Sequence, residues 1–145
     1  MATGDVTVFD EAKAVMLDGG WESADQIKIA ILDNTAAPVA STATPQLGDF
    51  TEVGAAGTYT AGGTNLETLG TMVTEAAGVM TFDTTVNPTW AQDPSNDVDA
   101  WWGLVYNVTQ TGNLAIAFVE LGGPVDMQAG DLTITWNASG IFTIT

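Results

Sequence analysis

The chain has 145 residues, with 18 Asp and Glu set against two lysines, no Arg, no His and no Cys, giving a formal net charge of -16. That composition excludes a disulfide framework and thiolate metal centres, a histidine-activated nucleophile and a basic surface for nucleic acid or anionic membrane. Hydrophobic residues make up 46% and charged residues 14%, so one packed domain over 1–145 is expected and disorder is not.

The first segment has helical periodicity. Val8, Phe9, Ala12, Val15 and Met16 fall in one arc, with Asp10, Glu11, Lys13 and Asp18 outside it. A short helix over about 7–19 follows. Thr7 with Asp10 is a shortened capping box, and Gly19-Gly20 is the stop. The opening Met1–Asp5 is polar and acidic, so no secretory leader is expected.

The period then changes to two. Ile27, Ile29 and Ile31 point to one side of a strand, and Lys28, Ala30 and Leu32 to the other. From Asp33 to Thr58 the Ala-, Pro-, Thr- and Gly-rich chain reads as a surface excursion, with one short strand near Phe50–Val53. Gly62-Gly63 is a turn, Gly78–Phe82 a short strand, and Asn87–Asp97 a loop containing Pro88 and Pro94. Ala100–Asn107 is a strand with Trp102, Leu104 and Tyr106 on one face and Trp101 and Val105 on the other. Leu114–Leu121 is apolar on both faces, with Leu114, Ile116 and Phe118 opposite Ala115, Ala117, Val119 and Leu121. Its longest apolar run is far too short to span a bilayer as a helix. The chain closes in an expected hairpin over about 131–145, with Leu132, Ile134 and Trp136 in one arm and Phe142 and Ile144 in the other. These elements predict an all-β fold, an antiparallel sandwich or jelly-roll-like domain with one short N-terminal helix.

No residue set carries a catalytic pattern. Asp93, Asp97 and Asp99 lack the ligand spacing of a calcium loop and read as a solvated acidic loop. Glu120 and Asp126 are one chance carboxylate pair among many. Neither a metal nor a cofactor is expected. The five tryptophans can stack on sugars, but in a small β protein they more often fill the core or a subunit interface. Trp90, Trp101 and Trp102, with the small residues Ala115 and Ala117, are the candidate interface.

Several segments resemble a family of small tailed-phage virion proteins. Asp25-Gln26-Ile27-Lys28-Ile29-Ala30-Ile31-Leu32 is similar to an early strand of that family, after a short helix ending in Gly. Thr58 to Leu66 is similar to its Gly-Tyr-Thr…Gly-Gly segment, Val79–Asp83 followed by Trp90 to its strand-acid-loop element, and Asp131–Asn137 with Gly140–Ile144 to its C-terminal hairpin. Ala100-Trp101-Trp102-Gly103 departs from the family pattern, and Ala36–Phe50 diverges from it. The resemblance implies a non-enzymatic virion component, a capsid decoration (cement) protein on the outer capsid surface, made in the host cytoplasm. Its implied partners are the major capsid protein and copies of itself, as a homotrimer. The other role within that family is a tail or fibre protein that contacts host surface glycan.

Overall fold

The computed structural model describes residues 2–145; Met1, the first residue of the expected leaderless opening, lies outside them. The all-β, antiparallel reading holds. Among the described residues, ten strands and two short helices form, and every strand pair is antiparallel.

Before the helix, Val6–Val8 form a short strand, β1. The helix itself, α1, covers Asp10–Leu17, inside the expected bounds. Thr7 therefore lies in a strand, and Phe9 occupies the N-cap position without a side-chain cap bond. The stop is as expected. Gly19 takes φ +70°, and the Gly20 N–H reaches the Val15 carbonyl at 3.1 Å, which satisfies carbonyls that a helix end leaves open.

A five-stranded sheet forms the middle layer. Its central strands are β2 (Gln26–Leu32) and β7 (Ala100–Asn107), flanked by β3 (Thr64–Thr68) and β8 (Leu114–Val125), in the order β1-β8-β7-β2-β3. The alternation of β2 is as expected: Ile27, Ile29 and Ile31 enter one core, Ala30 and Leu32 the other. On the first face lie a three-stranded sheet of β4 (Val73–Ala76), β5 (Val79–Phe82) and β10 (Phe142–Ile144), and a two-stranded pair of β6 (Thr89–Trp90) and β9 (Leu132–Thr133). A one-turn helix, α2 (Leu69–Met72), leads from β3 into β4. On the second face lie α1 and the 47–50 segment, where Phe9 meets Phe118 with ring centroids 5.0 Å apart. Each buried Ile, Leu or Phe contributes about 1.5–3 kcal/mol, so the sheet is held from both sides.

Three expectations are corrected. First, β8 changes phase. Val105 pairs with Ala117 but Tyr106 with Ala115, so Ile116 is an extra residue on its strand. Such a bulge breaks strict alternation: Ile116 and Ala117 both enter the first core, and Ala115 and Phe118 the second. Second, the C-terminal hairpin does not form. The Asn137–Gly140 turn is real, closed by the Gly140 N–H on the Asn137 carbonyl at 2.9 Å. However, the arm before it pairs with β6 and the arm after it with β5. Third, the short strand near Phe50–Val53 reduces to one bridge, Leu32 with Glu52.

Candidate functional site

The most elaborate polar arrangement lies at the β3 end of the sheet. β3 pairs with β2 only from Gln26 to Ile29. Beyond that point other groups take over the edge. The Ile31 N–H donates to Tyr59 Oη at 3.1 Å, and the Val53 N–H donates to the Ile31 carbonyl at 3.1 Å. Tyr59 Oη donates in turn to Glu52 Oε2 at 2.6 Å, which also accepts the Gly62 N–H at 2.7 Å. Tyr106 Oη donates to the Gly62 carbonyl at 2.7 Å. Burial, with the neighbouring Glu52 carboxylate second, pushes the Tyr106 hydroxyl up to about 12, and the same two causes raise Tyr59 further. Both hydroxyls stay protonated and act as fixed donors, unsuited to proton transfer near neutrality.

The Gly-Gly turn is explained by the same contacts. Gly62 and Gly63 take φ of +81° and +63°. A Cβ on Gly63 would strike the Ile29 carbonyl oxygen and lie 2.7 Å from Ala30 Cα. The turn is a close approach of backbone to backbone and has no phosphate-cradle geometry.

Asp25 is the buried acid, 3% exposed. Its Oδ2 accepts from Asn107 Nδ2 at 2.7 Å, Gln110 Nε2 at 2.9 Å and the Glu22 N–H at 3.1 Å. Burial alone would raise its pKa, but the bonds from Asn107, Gln110 and Glu22 outweigh it and hold the carboxyl below the ordinary 3.8. An acid kept charged by three donors ties the start of β2 to the β7–β8 turn.

The acidic loop is likewise spent on hydrogen bonds within the fold. Asp97 accepts the N–H groups of Val98 and Asp99 at 2.8 and 3.2 Å on Oδ1, and of Gly54 at 2.8 Å on Oδ2. Asp93 accepts the Ser95 N–H at 2.8 Å, and Asp99 accepts Trp101 Nε1 at 2.6 Å. Among the described residues, no group of three acids is arranged to hold a metal ion. Asn96, which sequence reading passed over, is the knot of this region. It is 2% exposed, accepts the Thr58 N–H at 2.8 Å and donates to the Ala91 and Met127 carbonyls at 2.9 and 3.2 Å. An Asn in a loop rich in Pro and Asp carries no signal that separates this role from an ordinary turn.

The candidate interface residues are not brought together. Ala115 and Ala117 are fully buried, in different cores, because of the bulge at Ile116. Trp90 is 5% exposed and packs near Tyr59, with ring centroids 6.0 Å apart. These three belong to the chain's own interior and present no surface to a neighbour. Trp101 and Trp102 stay half-buried at the start of β7. Trp102 Nε1 donates to Asn34 Oδ1 at 3.1 Å, and its ring meets the edge of Phe118. Between Ala100 and Trp102, β7 advances two residues while β8 advances five, from Glu120 to Val125. Trp101 lies within that irregular stretch. The neighbouring Gly103 is needed beneath: a Cβ there would lie 2.9 Å from Val119 Cγ1 and 3.1 Å from Ile134 Cδ1.

The opposite end of the sheet carries an open groove. One cavity of about 460 Å³ is lined by Val8, Met16, Leu17, Met80, Phe142 and Ile144, among others. A second, of about 720 Å³, runs from Asp5 and Val6 past Trp136 to Ile141 and Phe142. Leu17, on the rim, is 90% exposed. No helix of the described residues is long and apolar enough to cross a membrane. No known family model, curated protein or solved structure matches the chain.

Proposed function

We propose that this protein is a phage capsid decoration protein, a homotrimer that binds the outer surface of the major capsid shell and stabilises it against internal pressure. The observation that carries the reading is the use made of the residues that resemble the virion family. Tyr59, Gly62 and Gly63 clamp the sheet edge, Asp25 ties strand to turn, and the β2 isoleucines fill the core. Every one of them serves the scaffold, as expected of a family that shares a frame and varies its surfaces. The strong negative charge suits the outside of a particle, where it keeps finished shells apart. A closed trimer matches the three-fold positions of a shell.

Mixing the purified protein with undecorated, expanded capsids and imaging them by electron cryomicroscopy tests this. Regular density on the shell is expected. Bare shells, with protein that is folded and oligomeric, would overturn it.

One observation favours a second reading, the tail or fibre protein. Trp101 and Trp102 are half-buried beside Asp99 and Asn34, and aromatic faces next to polar side chains are what a glycan stacks on. Tryptophan fluorescence that shifts on adding host surface glycan would support that reading, and an unchanged spectrum would remove it.

A further inference from the structure

β1 and β10 each stand at the end of a sheet, with no strand of the described residues on the outer side. Both cavities of the open groove are lined by residues from both regions: Val8 with Phe142–Thr145 in one, Asp5 and Val6 with Trp136, Ile141 and Phe142 in the other. The groove thus runs between two strand edges.

The ladder fixes which backbone groups of β1 face it. The Phe9 N–H donates to the Ile116 carbonyl at 3.0 Å, and the Glu120 N–H donates to the Asp5 carbonyl at 3.4 Å. Positions 5 and 9 therefore turn toward β8, and alternation turns the N–H and C=O of Val6 and Val8 outward. Beside them the lining is apolar: Met16, Met80, Phe142 and Ile144. A row of backbone donors and acceptors next to an apolar trough is matched by one kind of ligand, another extended chain.

Charge selects which chain. What decides is the charge around this groove, not the net charge of the chain, which any self-assembly would share. Asp5 lines the groove, and Asp10, Glu11 and Asp18 lie on or next to the helix that borders it. Lys13, the groove's own cation, is already 2.9 Å from Asp10. We propose that this groove receives an extended segment of a different protein, pairing as a strand with the Val6–Val8 edge. Its alternate apolar side chains enter the trough, and its lysines or arginines face the surrounding acids. The inference stands on the groove itself and does not require that the partner be a capsid subunit.

A capped peptide of about eight residues, alternating valine with lysine and threonine, is the probe; that length covers the three-residue edge with about two residues to spare at each end. Titrated into isotope-labelled protein, it is expected to shift the amides of Val6, Val8, Met16, Phe142 and Ile144. Replacing its lysines by glutamate weakens binding by about two- to fivefold per charge. Proline at alternate peptide positions abolishes it, since proline has no N–H to donate. Val6→Pro removes an outward N–H of the protein while sparing the β8 ladder, an edge position where proline is tolerated, and weakens binding by about two- to tenfold. Four results overturn the proposal: no shifts at millimolar peptide, shifts centred elsewhere, equal binding by the proline peptide, or the same shifts produced by raising protein concentration alone.

Discussion

The two ends of the central sheet are built differently. At the β3 end, where the strand runs out, Tyr59, Glu52, Tyr106 and Gly62 replace the lost ladder with side-chain bonds of 2.6–3.1 Å. At the β1 end the edge faces a groove, and a leucine stands 90% exposed on its rim. One end carries a side-chain clamp where β3 stops, and the other borders an open apolar groove. A protein that had only to fold would gain by closing both, since an exposed edge beside apolar surface invites association.

The largest effect expected is at the closed end. Gly63→Ala puts a Cβ into the Ile29 carbonyl at a backbone φ of +63°. Left-handed strain and overpacking add to about 2–5 kcal/mol of lost stability, read as a lower urea midpoint. A loss under about 1 kcal/mol would show that the turn relaxes freely and that this end is not clamped.

Tyr59→Phe is the next step down. It keeps the ring against Trp90 but leaves the Ile31 N–H without its acceptor and Glu52 with the Gly62 N–H alone. An orphaned buried donor costs about 1–3 kcal/mol. Protection of the Ile31 amide from hydrogen exchange should fall with it, and an unchanged rate would mean that another acceptor takes over.

These two positions also show what a sequence can carry. Gly62-Gly63 reads as a turn from residue type alone, but the reason that no side chain fits at Gly63 is the strand passing beneath, which comes from more than thirty residues earlier. β2 and β7 are legible because period-two patterns record burial on two faces. β1 is not, because three residues abutting a helix are absorbed into its periodicity. The two arms of the last fifteen residues alternate as strands should, and part of each arm forms a short strand. Alternation says nothing about partners, however, so the turn at Asn137–Gly140 suggests a hairpin where the arms join separate sheets. The alanines of β8 fail for a related reason. One extra residue at Ile116 flips the phase, and no local pattern marks it. The groove is illegible altogether, since its walls come from opposite ends of the chain.

Asp25→Asn sharpens the comparison through pH. An amide oxygen can keep the bonds from Asn107, Gln110 and the Glu22 N–H, so only the charge assistance is lost, about 1 kcal/mol at neutral pH. The sign follows from the lowered pKa. A carboxyl depressed on folding stabilises above its unfolded value of 3.8 and loses that contribution as pH falls through the folded value. The gap between parent and variant should therefore be constant down to about pH 4 and close below it. A gap that widened in acid would mean that Asp25 is held neutral and that its three donors do not act on a charge.

The smallest effect is expected at the open end, and it bears on what that end is for. Leu17 closes α1 on the rim of the groove, 90% exposed. If the chain's own stability is indifferent to this rim, Leu17→Ser changes the unfolding free energy by less than about 0.5 kcal/mol, as for a surface site that touches nothing. A loss of about 1.5 kcal/mol or more, the size of a buried leucine's contribution, would mean that Leu17 folds down over Met80 and Ile144 in solution. The groove would then be a closed part of the core, and the difference between the two ends would disappear. Indifference leaves a costly arrangement, an apolar side chain in water beside an unpaired strand edge, with no reason in the fold of this chain, and so places its reason in whatever binds there.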